Sequence, residues 1–178
     1  LPGQYNATIW AVDNAENTAC SSGFGFTVSS LFGYTQIGDS SQAVLDMIAG
    51  SVFTAPEYGM AENITVYVTG SSSNISEYTS VIYRYNDSTL LGVTENKSVN
   101  ETGWVTFSFP EPKPPLIKDT EYVLAIWGNN SNALVSYDDG NSIGCHNITT
   151  YGNPPPNPIT YLPLNLTRRY SIYCGYTP

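Results

Sequence analysis

Charge is scarce in this chain. Only 12% of its 178 residues are Asp, Glu, Lys or Arg, about half the usual share. Basic residues are scarcer still: Lys and Arg number 6 against 15 acidic residues, for a net charge of -9. A nucleic-acid partner requires a basic footprint that displaces counterions, and this composition excludes one. Electrostatic attachment to anionic lipid fails for the same reason. No run reaches the roughly 18 apolar residues of a membrane span, so direct membrane insertion is not expected. Leu1-Pro2-Gly3-Gln4 lacks the basic and apolar regions of a signal peptide, and the chain is read as mature or as cut from something longer.

Catalytic and metal-binding patterns are missing too. The chain has one histidine, His146, beside Cys145. Adjacent residues on a strand point to opposite faces, so this pair is not a nucleophile and its base. No Gly-x-Ser-x-Gly elbow, phosphate loop or zinc-helix pattern occurs. The tight acidic cluster Asp138-Asp139-Gly140-Asn141 falls short of a calcium loop and reads first as a turn. A two-carboxylate glycosidase site has no better support. The expectation is that the protein is not an enzyme and takes no cofactor or metal.

Cysteine is limited to Cys20, Cys145 and Cys174. An odd count in an exported chain suggests one disulfide and a leftover thiol or intermolecular bond. Cys145–Cys174 is the preferred pair because both lie in the C-terminal part of the main domain, although all three pairings remain open.

Asparagine sequons are abundant. Asn-x-Ser/Thr occurs at Asn6, Asn63, Asn74, Asn86, Asn96, Asn100, Asn129, Asn147 and Asn165. With Ser and Thr near a fifth of the chain, roughly three of the sixteen Asn would carry a sequon by chance. The excess points to N-glycosylation, hence to export and an extracellular or cell-surface location. Covalent glycans would then supply the solubility that scarce charge does not.

Hydrophobic residues make up 41% and aromatics 13%, enough for a sizeable core. Alternation marks strands at Ile64–Thr69, Val81–Tyr85, Leu90–Val93, Trp104–Phe109, Leu134–Tyr137 and Tyr170–Cys174. Trp104–Phe109 sets Val105, Phe107 and Phe109 on one face. Tyr122–Trp127 is apolar on both faces, as a central buried strand requires. Gln42–Ala49 carries a possible helical stripe of Val44, Leu45 and Ile48, but Gly50 and the β-rich Ser51–Thr54 follow at once, so a strand is preferred. Two proline-rich stretches, 110–115 and 154–158, are expected to be extended loops at the sandwich ends. Trp127, Tyr137, Tyr151 and Tyr161 are candidate sugar-stacking aromatics near loops.

The pieces Gly50–Glu57 with Gly59, Ile64–Tyr67, Ile82-Tyr83, Gly103-Trp104 with Thr106-Phe107, Glu121-Tyr122 with Leu124-Ala125, and Tyr170–Tyr173 resemble a jelly-roll domain found in large secreted and cell-surface proteins of archaea and bacteria. That resemblance implies a lectin-like antiparallel β-sandwich over 31–178, without catalytic residues. Residues 1–30, with Gln4–Asp13, Asn17-Thr18 and Phe24–Val28, resemble the closing hairpin of immunoglobulin-like repeats.

Two strands cannot bury a core alone. Tyr5, Ala7, Ile9 and Ala11 form one alternating face that must find a partner. The hairpin could be the tail of another domain, fold onto its own sandwich, or complete a sheet in a neighbouring subunit. The last case is the basis of the preferred expectation: an all-β, glycosylated subunit of a pilus-like filament or layer, joined to its own copies head to tail. Cys20 would then be placed to cross-link subunits. The alternative is a carbohydrate-binding or adhesion module, with glycans as partners.

Overall fold

The computed structural model describes residues 29–70, 74–140, 144–160 and 167–178, and the backbone of strand residues 4–7, 10–12, 18–20 and 24–27. The described residues contain strands and no helix. Strands β1 (Gln4–Ala7), β2 (Trp10–Val12), β3 (Thr18–Cys20) and β4 (Phe24–Thr27) make the N-terminal hairpin, β1 pairing β4 and β2 pairing β3.

Two antiparallel sheets packed together follow, an all-β sandwich. The first contains β7 (Met47–Thr54), β9 (Ser76–Arg84), β10 (Leu90–Val99), β13 (Glu121–Gly128) and β15 (Gly144–Ile148), in the order β10-β9-β13-β7-β15. The second contains β5 (Ser30–Gly33), β6 (Ser40–Ala43), β8 (Gly59–Thr69), β11 (Gly103–Ser108), β12 (Pro115–Leu116), β14 (Leu134–Asp139), β16 (Arg168–Tyr170) and β17 (Ile172–Thr177). Strand β8 is central: Thr65 faces Thr106 of β11 on one edge and Tyr173 of β17 on the other.

Alternation sorts the side chains. Tyr122, Leu124 and Ile126 of β13 enter the core between the sheets with Ile64, Val66, Phe107, Ile172 and Cys174. Phe109 joins Phe107 there and Val105 packs against them, as their shared face requires. Val123, Ala125 and Trp127 of β13 point the other way, into a second buried cluster with Ile48, Val52, Val81, Tyr83 and Cys145. Both faces of β13 are therefore dry, which explains its uninterrupted apolar sequence.

The second cluster exists because the chain crosses that outer face. Ile159 is buried in it and Tyr151 packs against it. The residue 149–160 strap is pinned at several points. Trp127 Nε1 donates to the Thr149 carbonyl at 2.9 Å, Ile159 N donates to the Ser88 carbonyl at 3.1 Å, and Leu90 N donates to Asn157 Oδ1 at 3.1 Å. The proline stretch 154–158 thus lies across a sheet face, not at a sandwich end. Its lack of donors suits a segment that covers a face without joining a ladder.

The Gln42–Ala49 segment is extended at both sides of a turn. Asp46, at φ 47°, reverses the chain between β6 and β7. It also anchors the strap, accepting from Thr149 N on its carbonyl and Tyr151 N on its carboxylate, both at 2.8 Å.

Candidate functional site

Gly70, Asn74 and the turns 100–102 and 129–133 lie at one end of the sandwich, because Val99 pairs Ser76, Gly128 pairs Tyr78, Gly103 pairs Val68 and Leu134 pairs Thr69. This end carries Asn74, Asn100 and Asn129. Polar side chains stitch its turns together: Asn129 Oδ1 accepts from Glu77 N at 2.9 Å, Ser76 Oγ donates to Asn130 Oδ1 at 3.1 Å, and Thr102 Oγ1 accepts from Gly70 N at 3.1 Å. Asn74 and Asn100 are exposed, and Asn129 is half-buried.

At the opposite end Ser30 pairs Tyr176, so the segment following the hairpin enters the sandwich there. Asn86 is exposed in the β9–β10 turn at that end. Asn96 is exposed on β10, with Nδ2 donating to the Tyr151 hydroxyl at 2.7 Å. Asn147 Nδ2 donates to the Thr160 carbonyl at 2.6 Å, and the Thr149 hydroxyl of the same sequon donates to Asn147 Oδ1. Asn63 is half-buried on β8, opposite Ser108 and Gly175. Asn6 lies in β1 opposite Gly25. Asn165 lies outside the described residues.

Of the hairpin's proposed contact residues, Tyr5 and Ala7 lie in β1 opposite Phe26 and Phe24, and Ala11 lies in β2 opposite Ala19. Ile9 lies outside the described residues. Cys20 is opposite Trp10 at the end of β3. The core between the sandwich sheets is filled by the chain's own strands, so a neighbour's hairpin would add at a sheet edge, not into a groove.

The preferred Cys145–Cys174 disulfide is not formed. Both thiols are free and buried. Cys174 enters the core between the sheets, whereas Cys145 enters the cluster on the far side of the five-stranded sheet. A sheet separates them, and proximity to the C-terminus could not reveal it. Burial pushes the Cys145 thiol up to about 12 and raises Cys174 as well, so neither is a ready nucleophile.

His146 faces away from Cys145's cluster, and its buried Nδ1 has no hydrogen-bond partner among the described residues. Desolvation, with Arg168 nearby, holds its pKa below the ordinary histidine value. Asp138 and Asp139 belong to β14, opposite Arg169 and Arg168, so the pair reads as strand and not turn. Asp138 accepts from the Tyr34 hydroxyl at 2.6 Å and from Asp39 N at 2.8 Å, bonds that hold its carboxyl below the usual range. No group of three or more His, Cys, Asp or Glu positioned for a metal occurs among the described residues.

The candidate aromatics are not a platform. Trp127 is buried under Tyr151, ring centroids 5.2 Å apart. Tyr137 packs on Tyr170 beneath the Arg168 guanidinium, which lies 4.4 Å from its ring centroid. Tyr161 lies outside the described residues. A different group faces outward from the larger sheet: Tyr67 of β8, Trp104 of β11 and Tyr173 of β17. Trp104 stands 5.4 Å from Tyr67 and 5.3 Å from Tyr173, tilted by 78° and 56°. All three are half-buried. The signal was available, since Val105, Phe107 and Phe109 on one face place Trp104 on the other. What sequence hides is that three strands bring their outward aromatics together.

No protein-family model matches this chain, and a search of curated proteins finds no match.

Proposed function

We propose that the protein is a heavily N-glycosylated structural subunit of an extracellular cell-surface filament or layer, assembled when its N-terminal hairpin adds to a sheet edge of a neighbouring copy. The observation that carries this reading is the polarity of the sandwich. Three sequons, at Asn74, Asn100 and Asn129, share one end, whereas the end where the hairpin segment enters carries Asn86. Glycans concentrated at one end would screen that end and leave the other freer for contacts, where the hairpin would supply a directional, heterologous one. Strands β10 and β15, each with one ladder partner among the described residues, are the acceptors this mode needs.

The finer reading of the sandwich is a jelly-roll-like, lectin-like one. Its support is strand order: β17 lies between β5 and β8, and neighbours in the five-stranded sheet are mostly distant in sequence. Electron microscopy of purified protein tests the assembly. Ordered polymers that disappear when residues 1–30 are deleted are the expected result. Monodisperse full-length protein over a wide concentration range, or unchanged polymers after the deletion, overturns it.

The outward aromatic group favours a second reading, a carbohydrate-binding or adhesion module. That reading requires a monomer retained on a glycan array, with retention lost in Trp104→Ala.

A further inference from the structure

Asn63, Thr65 and Tyr67 share the outer face of β8, because strand side chains alternate. The Asn63 sequon therefore opens onto the face that carries the aromatic group. Thr65, its hydroxyl residue, is buried and 2.9 Å from the Thr106 hydroxyl. The Asn63 amide lies across Gly175: a Cβ built on Gly175 would stand 2.7 Å from Asn63 Oδ1. Glycine at 175 thus leaves the room that the amide occupies. Beside it, Gly33, at φ 128°, passes tightly under Tyr173. The result is a shallow trough floored by glycine, flanked by Tyr173 on β17 and by Leu31 on β5, which is 53% exposed and opposite Gly175.

We propose that this trough is the resting place of the protein's own Asn63 glycan, whose first sugars lie against Tyr173, the ring that Trp104 packs beside. The proposal rests on the reading of the chain as N-glycosylated. Attachment forms one bond between Nδ2 and the anomeric carbon of a glycosyl phosphate donor and breaks that carbon's bond to the phosphate oxygen. The displaced amide proton leaves with the phosphate. The Asn63 side chain makes no hydrogen bond among the described residues, and its direction over Gly175 starts the sugar along the trough. A pyranose presents a face of C–H groups, which suits the negative face of an aromatic ring and buries apolar surface of both. The tilt between the rings matters here. Coplanar rings would suit a long flat polysaccharide, whereas this cluster offers ring faces to a short, tethered chain. A free-sugar lectin site would then be filled from within.

The test compares wild-type protein and Asn63→Gln from a glycosylating host, with Asn63 occupancy read by mass spectrometry of peptides. Glycosylated wild type is expected to melt on the order of 3 °C above Asn63→Gln, as about one modest contact in a domain this size provides. The gap should close in a Tyr173→Ala background and in protein made without glycosylation. Hydroxyl-radical footprinting needs no ring variant. It should show Tyr173 at least about threefold better protected in glycosylated wild type than in Asn63→Gln, the scale of a ring face covered by apolar contact. Equal protection with Asn63 occupied overturns the proposal and leaves the glycosylation reading intact. An unoccupied Asn63 beside occupied sites also overturns it. Absence of glycans at every sequon overturns both.

Discussion

The two sheets treat their outer faces differently. The five-stranded sheet is covered by the 149–160 strap, and its outward residues Val123, Ala125 and Trp127 are as buried as those in the core between the sheets. The larger sheet leaves its outer face to solvent, with Thr106 exposed and Tyr67, Trp104 and Tyr173 half-buried. One face was finished with the chain's own backbone, the other with aromatics and a sequon. Covering a face costs ordering entropy along the whole strap, which apolar burial and the strap's hydrogen bonds offset. Hence Trp127, Tyr151 and Ile159 come together on the covered side. The open face escapes that cost and retains surface available to something else.

The largest expected effect lies between the sheets. Leu124→Ala should destabilise by about 3–4 kcal/mol, since a fully buried leucine leaves a cavity in a packed interior. Urea denaturation measures it. Ile159→Ala should cost about 2 kcal/mol, near the lower end for buried isoleucine because a strap can settle more readily than a strand. A cost well under 1 kcal/mol would mean that the strap merely rests on the sheet, and the contrast between the faces would fail. Tyr67→Ala in unglycosylated protein should cost about 1 kcal/mol or less, because its ring is half-buried and its edge-to-face contact with Trp104 is modest. A cost as large as that of Leu124→Ala would show the open face to be core in all but position.

The smallest effect concerns pH. His146 is held below its unfolded pKa of about 6.5. The unfolded chain therefore binds the proton first, and stability should be full above that value and fall as pH drops through it toward the folded pKa. His146 is the chain's single histidine, so the slope of melting temperature between about pH 7.5 and pH 5, the range in which histidine titrates, should shrink in His146→Gln. An unchanged slope removes the histidine from the account.

Much of this fold is legible along the chain because the alternation that marks a strand is local. The doubly apolar Tyr122–Trp127 announces a strand covered on both sides, and β13 is one. The helical stripe at Val44, Leu45 and Ile48 gives way to a turn because Asp46 adopts a left-handed backbone that no helix permits. Other features are settled by register between distant segments. Tyr170–Cys174 reads as one strand, yet it breaks at Ser171: Tyr170 pairs with Tyr137 of β14, and Ile172 with Val66 of β8. The same non-local pairing sends Cys145 and Cys174 to opposite sides of a sheet, lays the second proline stretch over Trp127, and gathers Tyr67, Trp104 and Tyr173. The candidate site was legible only as sequons and a hairpin; its aromatic floor was not.

The entry of the chain at Ser30 has a mechanical meaning. Strands β5 and β17 are antiparallel, and Ser30 stands opposite Tyr176, next to the final residues. Tension between the hairpin and the C-terminal residues would fall first on that pair. It would then open the ladder one rung at a time toward Tyr173 and Gly33, in the manner of a zipper and not of a sheared bolt. Load passed along this line meets the weakest direction of a sheet. A fibre of such subunits would hold under strain only where force enters through the strand flanks, so β5 would serve it as a compliant link ahead of a stiff sandwich.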